Sequence, residues 1–316
     1  MKTHCLIFGA TGFLGKNLCH TLLVQDYDIT IYARPSYHLE EFRSFFPEVK
    51  IVLGNFETED NFVNVLKNID IVFHLVSGTV PSNTDMLREF SVNIIPTIRL
   101  LEACVKVNRK VHFVYFSSGG TVYGIPQYLP IDEEHRTNPI STYGIHKLTV
   151  EKCIEYYGRC YGIRYTILRI SNPYGAYQRP VSSQGVVAVF IAKILMGQPI
   201  EIWGDGSVVR DYIFVGDVME AIVSVMRYHG AHRIFNIGSG KGISLKELLQ
   251  MMEEKAHRPA LVKYIPGRIQ DVSANILDYS LLCREIGWSP QTDILQGIRY
   301  MMNFWDESRK CYIMGR

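Results

Sequence analysis

The chain has 316 residues, of which 47% are hydrophobic and 20% are charged. A formal net charge of +2 gives no basic footprint for nucleic acid, and no apolar run approaches the ~20 residues that a membrane-spanning helix needs. Seven scattered cysteines without a Cys-x-x-Cys pair argue against a disulfide framework or a zinc site. We therefore expect a cytoplasmic globular protein that binds no nucleic acid, membrane or metal.

A glycine-rich turn follows the first predicted strand. Residues 4–8 read as a buried strand, and a helix pattern covers 13–24. Glycines at every third position between a strand and a helix let the backbone approach a pyrophosphate, at a helix N-terminus that favours anions. The pattern predicts a dinucleotide site, although an ordinary strand–helix turn would also fit. Its predicted cofactor-binding residues are Gly9, Thr11, Gly12, Phe13, Leu14 and Gly15.

The end of the second predicted strand, 29–32, bears on the choice of cofactor. An acidic residue there would accept a hydrogen bond from a ribose 2′-hydroxyl and indicate NAD. This strand instead continues into Ala33-Arg34-Pro35. Arg34 could meet the 2′-phosphate of NADP, or it could be a solvated loop residue. The cofactor is therefore predicted to be NAD or NADP, with Arg34 pointing towards NADP.

Strands and helices alternate as far as residue 170. The predicted strands are 49–53, 70–74, 111–116 and 165–169, and the predicted helices are 58–67, 84–107 and one that begins near residue 141. This rhythm predicts an α/β fold with a doubly wound parallel sheet of the Rossmann type, which binds ligands at the carboxyl ends of its strands. Further predicted cofactor-binding residues are Asn55, Phe56, Leu75, Val76, Ser77, Asn93 and Ser117.

The pattern changes after residue 170. Helices are predicted at 183–197, 217–229, 244–256, 278–286 and 293–306, with strands at 210–215 and 234–237. We infer a smaller, discontinuous α/β substrate lobe made of 171–212 and 240–316. Residues 1–170 and 213–239 would form the dinucleotide-binding domain.

Tyr143 and Lys147 lie four residues apart on the helix that follows Ser141, and so on one face. A phenol, with a pKa near ~10, is a poor base at neutral pH, but a nearby ammonium favours the phenolate. The pair therefore predicts a proton shuttle that removes a hydroxyl proton while a hydride leaves the same carbon. Tyr and Lys often occur at this spacing by chance, so the pair alone does not establish catalysis.

Four motifs together resemble those of a known family. They are Gly9-x-x-Gly12-x-x-Gly15, Tyr143-x-x-x-Lys147, Asn172-Pro173-Tyr174-Gly175 and Arg210-Asp211-Tyr212-Ile213. Over essentially the whole chain, the sequence resembles the extended short-chain dehydrogenase/reductases that act on nucleotide sugars, in particular the UDP-hexose 4-epimerases. The resemblance implies a nucleotide-diphosphate sugar as substrate, a homodimer formed through helices 84–107 and 141–161, and a part in polysaccharide precursor synthesis.

The resemblance also implies a role for individual residues. Tyr143 would be the acid/base at the sugar C4 hydroxyl, Lys147 would bond the nicotinamide ribose, and Pro173 would border the nicotinamide. The substrate-binding residues would be Asn172, Arg210, Arg268 and Asp271, the arginines through forked hydrogen bonds to the diphosphate. Alternatively, Asn172 could cap a turn and Arg210 could pair with Asp211.

Three features depart from the family pattern, one of which is the missing acid at the end of the second predicted strand. Gly119 stands where the family usually has a Ser or Thr that hydrogen-bonds the reacting hydroxyl. Thr121 or Ser118 could replace it, and Thr121 is preferred. Asn55 stands where an acidic residue is usual. Like the missing acid of the second strand, it leaves the choice between NAD and NADP open.

The leading hypothesis is an NAD(P)-dependent epimerase that inverts C4 of a nucleotide-linked hexose, such as a UDP-sugar, through a 4-keto intermediate. The alternative is an NADPH-dependent reductase of a dTDP-4-keto-6-deoxyhexose, which would use the same Tyr143 and Lys147. A dehydratase is disfavoured because Gly120-Thr121 replaces the Asp-Glu pair of that chemistry. A non-catalytic NADP-sensing protein would have no need for the intact pair.

Overall fold

The computed structural model describes residues 2–107, 109–180, 185–267 and 272–314, with side chains as far as residue 305. The chain forms two compact units. The first consists of Met1–Gly124, Arg136–Arg169 and His229–Phe235, and the second of Ile125–His135, Ile170–Tyr228 and Asn236–Arg316. The first unit differs from the predicted dinucleotide-binding domain at residues 125–135, 170, 213–228 and 236–239, which belong to the second unit. The assignment of one ligand to each domain stays a prediction.

The strands, in chain order, are β1 (His4–Phe8), β2 (Asp28–Ala33), β3 (Lys50–Leu53), β4 (Ile71–His74), β5 (His112–Ser118), β6 (Arg164–Ile170), β7 (Asn172–Tyr174), β8 (Pro199–Trp203), β9 (Val209–Phe214), β10 (Ile234–Ile237), β11 (Gly242–Ser244), β12 (Leu261–Ile265) and β13 (Ala274–Asn275). The helices are α1 (Phe13–Val24), α2 (Tyr37–Phe45), α3 (Met86–Glu89), α4 (Ile95–Val107), α5 (Thr142–Tyr161), α6 (Val186–Met196), α7 (Val215–Met226), α8 (Leu245–Ala256), α9 (Ser280–Ile286) and α10 (Ile294–Met314). A π-helical turn, Phe90–Ile94, joins α3 to α4.

A seven-stranded parallel sheet confirms the predicted Rossmann fold. Its strand order is β10-β6-β5-β4-β1-β2-β3. The central strands β1 and β4 are apolar except for one histidine each, and all their residues but His4 are buried, as expected of parallel strands covered on both faces. In β1, Phe8 pairs with Tyr32 of β2 and with His74 of β4. The carboxyl ends of these three strands therefore meet at one edge, next to the glycine-rich turn.

Two stretches of the first unit differ from the predicted helices. Residues 58–67 form turns, so the helix predicted there is wrong. Polar side chains bond the nearby backbone instead: Glu59 accepts from the Asn61 N–H, and Asn61 accepts from the Val63 N–H. The helix predicted at 84–107 is present from Met86 but contains the π-helical turn.

The second unit has small sheets and its own core. Strands β11, β9 and β13 lie side by side, β7 pairs with β9, and β12 pairs with β8. Helices α6, α8 and α10 supply much of a separate hydrophobic core, in which Ile191, Leu248 and Ile298 are fully buried. Within the part of the chain that the structure describes, no helix combines the length and apolar character needed to cross a membrane.

Candidate active site

The glycine-rich turn is shaped so that only glycine fits at two positions. Gly9 has φ +90°, and a Cβ there would lie 3.0 Å from the backbone of Leu75 and Val76. A Cβ on Gly15 would lie 2.3 Å from the Gly9 carbonyl oxygen. Gly12 caps α1 without a side-chain hydrogen bond, and the first turn of α1 carries no acid. This open helix N-terminus fits the pyrophosphate of a dinucleotide.

At the end of β2, Arg34 lies near an acid from another segment of the chain. Arg34 is largely exposed, and its Nη1 lies 3.7 Å from Oε1 of Glu57. Glu57 comes from the segment after β3, and a Cβ on Gly78 would lie 3.5 Å from its Oε1. This carboxylate was not predicted from the sequence, because Glu57 is distant from Arg34 along the chain. Asn55 accepts a hydrogen bond from the Glu57 N–H, while Phe56 packs in the core against Phe8.

Tyr143 and Lys147 lie on the first turns of α5, which begins because Ser141 caps the Gly144 N–H. Lys147 is buried, with its Nζ 5.6 Å from the centre of the Tyr143 ring, and it donates to the Phe116 carbonyl oxygen at 2.9 Å. Burial lowers the pKa of Lys147 to about 8, against the opposing effect of Glu151 and Glu89. The ammonium therefore remains the major form at neutral pH.

The pKa of Tyr143 does not follow the sequence-based expectation. Lys147 was expected to lower it, but burial raises the pKa of Tyr143 to about 12. A hydrogen bond with Ser77 lowers this pKa, and the charge of Glu89 raises it further. Because burial outweighs the neighbouring groups, Tyr143 is a neutral phenol in this structure, ready to donate rather than accept a proton.

The segment after β4 lies between the glycine-rich turn and Tyr143. Leu75 and Val76 contact Gly9 closely, and Ser77 is the residue that bonds Tyr143. Asn93 supports this segment, because its Oδ1 accepts from the Gly78 N–H at 2.8 Å. Its amide also donates within the protein, so the direct cofactor contact predicted for Asn93 stays a prediction.

One turn after Lys147, α5 carries a member of a buried ion pair that was not predicted from the sequence. Arg169 donates to Glu151 through Nε and Nη2, the shortest distance being 2.7 Å, and through Nη1 to the Tyr123 hydroxyl at 3.0 Å. Ser117, predicted to bind the cofactor, donates its hydroxyl proton to Glu151. Glu151 stands one turn after Lys147 on α5, and that spacing was the available signal.

The two candidate hydroxyls, Thr121 and Ser118, differ in their surroundings. A Cβ on Gly144, next to Tyr143, would lie 2.7 Å from the Thr121 carbonyl oxygen, so the loop after β5 packs on the first turn of α5. Thr121 Oγ1 is buried and has no hydrogen-bond partner among the residues that the structure describes. An unpaired buried hydroxyl is suited to receive a substrate hydroxyl. Ser118 is half-buried.

In the second unit, the predicted substrate residues are tied to the backbone. Asn172 donates from Nδ2 to the Asp211 carbonyl oxygen at 2.9 Å, which fixes β7 to β9. Arg210 donates from Nη1 to the carbonyl oxygens of Val209 and Val272. Pro173, predicted to border the nicotinamide, accepts at its carbonyl oxygen from Gln178. Arg268 and Asp271 lie outside the described residues.

Asp211 is a residue whose importance the sequence did not show. It is fully buried, and its carboxylate accepts from the backbone N–H groups of Ser239, Gly240 and Leu277. It thus fixes the strand that carries Arg210 to two later loops. No cluster of three or more metal-ligating side chains occurs within the described ranges.

A doubly wound parallel sheet, a glycine-rich first turn and a Tyr–Lys pair on the helix beside it define the short-chain dehydrogenase/reductase class. The comparison with known families gives the same result. The sequence model of the "NAD dependent epimerase/dehydratase family" matches residues 5–238. The chain belongs to this family, within the extended short-chain dehydrogenase/reductases.

Individual relatives carry two different activities in their names. A UDP-glucose 4-epimerase of Mycolicibacterium smegmatis is 31% identical, over 95% of this chain and 97% of its own. A dTDP-4-dehydro-6-deoxyglucose reductase of Escherichia coli is 30% identical, over 94% of this chain and 96% of its own. The crystal structure of UDP-glucose 4-epimerase from Thermotoga maritima with UDP-glucose is 31% identical and has a TM-score of 0.90, over 97% of this chain and 99% of that one.

Proposed function

We propose that the protein is an NAD(P)-dependent nucleotide-sugar 4-epimerase that inverts C4 of a UDP-hexose through a transient 4-keto sugar. The observation that carries this proposal is the Tyr143–Lys147 pair, held by Ser77 and the 118–121 loop at the edge of the sheet where the glycine-rich turn lies. Family membership and the epimerases among the relatives support the same activity.

In this proposal each residue has a definite task. The backbone of Gly9–Gly15 and the N-terminus of α1 hold the pyrophosphate, and Lys147 bonds the nicotinamide ribose. When bound, the oxidised nicotinamide supplies a hydride acceptor and a positive charge that favours a phenolate. Tyr143 takes the proton of the C4 hydroxyl and later returns it to the same oxygen, while Thr121 Oγ1 hydrogen-bonds that oxygen.

The substrate would be held by the second unit. Arg210 and Arg268 would bind the diphosphate, and Asn172 and Asp271 would contact the sugar nucleotide. In an epimerase the 4-keto sugar must rotate between the two hydride transfers, so that its opposite face meets the nicotinamide. We therefore expect the enzyme to bind the diphosphate firmly and the hexose loosely. Two guanidinium groups suit that purpose, since each can form paired hydrogen bonds with phosphate oxygens.

The second candidate is the NADPH-dependent reductase of a dTDP-4-keto-6-deoxyhexose. Two observations favour it. Arg34 is largely exposed at the end of β2, where a 2′-phosphate would lie, and one relative is named as such a reductase. In that reaction Tyr143 would donate its proton to the new C4 alkoxide, which agrees with its neutral form in this structure.

We also propose a homodimer built on α4 and α5. These helices pack together, and apolar side chains remain exposed along them, along α3 and on the π-helical turn before α4, including Leu87, Phe90, Ile95 and Tyr156. A second copy of the chain would cover this surface. Light scattering coupled to size-exclusion chromatography tests it: the wild-type chain is expected at twice its mass, and Ile95→Glu at its own mass.

The function is tested by incubating the purified protein with UDP-glucose and no added cofactor, then separating UDP-hexoses by chromatography. Appearance of UDP-galactose, together with release of NAD on denaturation, is the expected result. Tyr143→Phe is expected to lower the rate by ~10²–10⁴-fold while NAD stays bound. An empty protein that makes no UDP-galactose but oxidises NADPH with a dTDP-4-keto-6-deoxyhexose would establish the reductase instead.

A further inference from the structure

A buried carboxylate that the proposed reaction does not use lies next to the first turn of α5. The Glu89 side chain has no exposed surface. Thr79 Oγ1 donates to Oε2 at 2.6 Å, Asn93 Nδ2 donates to Oε2 at 2.8 Å, and Asn83 Nδ2 donates to Oε1 at 2.8 Å. His146 Nδ1 lies 2.7 Å from Oε2. These four side chains surround both carboxylate oxygens.

Three of the four partners carry no charge, and the fourth is a histidine. Thr79, Asn83 and Asn93 are neutral side chains, and burial together with the neighbouring Lys147 lowers the pKa of His146 to about 2. A buried carboxylate is costly without a compensating charge. The charge of Glu89 acts on Lys147, whose pKa it raises. The charge of Glu89 therefore opposes the effect of burial on Lys147 and favours its ammonium form, without a direct contact to it.

The four partners come from three parts of the chain. Thr79 and Asn83 belong to the segment between β4 and α3, Asn93 to the π-helical turn, and His146 to α5. The same segment carries Ser77, which bonds Tyr143. The segment is joined to α5 a second time, because Thr142 Oγ1 donates to the Asn83 carbonyl oxygen at 2.6 Å. The π-helical turn begins directly after Glu89, and such turns are often found at functional sites.

We propose that Glu89 is a positioning residue of the Tyr143–Lys147 pair: its carboxylate fixes the 77–83 segment to the first turn of α5 and offsets the charge of Lys147. The inference rests on the proposed function, because it assigns Glu89 to that site. Glu89 itself touches no reacting atom.

Titratable and charged groups face this site from several elements. His74 belongs to β4, Tyr115 to β5, Arg169 to β6, and Tyr143, His146, Lys147 and Glu151 to α5. Burial lowers the pKa of His74 to about 3 and raises that of Tyr115 well above its usual value, so neither changes charge near neutral pH. Lys147, with a pKa of about 8, is therefore the group through which Glu89 is expected to affect a pH profile.

The test is the pH dependence of dinucleotide affinity in Glu89→Gln, measured by NADH and NADPH fluorescence between pH 6 and 10. In the wild type, affinity is expected to fall as Lys147 loses its proton, because an ammonium is the stronger hydrogen-bond donor. Removing the Glu89 charge should lower the pH at which half of this affinity change has occurred by ~0.5–1 unit. We call this pH the midpoint of the affinity profile. Turnover of UDP-glucose should fall ~10–100-fold, with little change in KM.

Glu155→Gln is the matched control, since it removes a carboxylate from α5 that pairs with the exposed Lys152. The midpoint of its affinity profile against pH should equal that of the wild type. If Glu89→Gln does not fold, Thr79→Val decides the question, because it keeps the charge and removes one link to the 77–83 segment. A lower kcat at unchanged KM would then support the proposal, and an unchanged kcat would overturn it.

Dinucleotide binding by the wild-type protein separates the role of Glu89 from the proposed function. A wild-type protein that bound neither dinucleotide at any pH would overturn the proposed function and this inference with it. A wild-type protein that bound one of them, with the same midpoint in Glu89→Gln, would overturn the role of Glu89 alone.

Discussion

Burial shifts the acid–base properties of Tyr143 and Lys147 in opposite directions. Each shift disfavours the charged form, so the pKa of the phenol rises to about 12 and that of the ammonium falls to about 8. At neutral pH the pair therefore consists of a neutral phenol and an ammonium that keeps its charge with the help of two carboxylates. Proton removal by Tyr143 consequently needs a further positive charge close by.

The third hydroxyl of the site can be identified by two single substitutions. Thr121→Val removes an unpaired buried hydroxyl while keeping the shape of the side chain, and we expect kcat to fall ~10–100-fold. Ser118→Ala should change kcat by less than about threefold. Steady-state kinetics with UDP-glucose measures both. A larger loss in Ser118→Ala would assign the role to that residue instead.

The choice of dinucleotide is testable at Arg34 and Glu57. We expect Arg34→Ala to weaken NADPH binding about tenfold and to leave NADH binding nearly unchanged, because only the 2′-phosphate needs the guanidinium. Glu57→Gln should strengthen NADPH binding, since this carboxylate lies 3.7 Å from Arg34 and would repel a phosphate. Fluorescence titration measures both affinities. Equal losses for the two dinucleotides in Arg34→Ala would contradict this account.

At the scale of the elements, close contacts between backbone segments shape the cofactor site. The turn after β1 touches the segment after β4 at Gly9, and α1 packs on the turn at Gly15. The first turn of α5 packs on the loop after β5 at Gly144. These contacts leave no space for a side chain, so the relative placement of the elements depends on glycine.

Gly15→Ala tests this dependence. The new methyl group would lie 2.3 Å from the Gly9 carbonyl oxygen, so the backbone must move, and we expect dinucleotide affinity to fall at least ~10-fold with a lower melting temperature. Gly120→Ala is the control, because its nearest neighbour would be 3.9 Å away. Calorimetry and fluorescence titration compare the two. Wild-type affinity in Gly15→Ala would show that the turn is not a cofactor cradle.

Local sequence patterns predicted most elements of the sheet and little of the surroundings of the active site. Apolar runs and the glycine spacing identified β1, β4 and α1 because those signals act between neighbours in the sequence. Glu89 and Glu151 were not identified, since a buried carboxylate becomes distinctive only when distant residues surround it. The helix predicted at 58–67 is wrong because Asn61 bonds the backbone locally.

The stability of the whole molecule should depend on pH through Glu133. This residue of the second unit accepts from the Asn236 N–H at 2.7 Å, and burial raises its pKa to about 7. A carboxyl whose pKa is raised by folding stabilises the folded state when protonated. Its contribution is therefore complete below pH 4.5 and is lost as the pH rises through 7.

Glu133→Gln should remove this dependence, because the amide remains neutral and keeps an oxygen for the Asn236 N–H. Between pH 5 and 8, we expect the unfolding free energy of the wild type to fall by about 1–2 kcal/mol relative to the variant. Urea unfolding across that pH range measures the difference. A constant difference between the two proteins would show that Glu133 is ionised throughout.

The division of the first unit into separate stretches of sequence has a consequence for synthesis on the ribosome. Its sheet ends in β10, and His229–Phe235 is made only after nearly sixty residues of the second unit, Ile170–Tyr228. Until β10 emerges, β6 is an unpaired edge that another nascent chain could join. The sheet therefore cannot be completed during translation until the second unit's first long segment has also been synthesised. A translational pause before residue 234 would prolong the time during which the β6 edge is exposed and the nascent chain can aggregate.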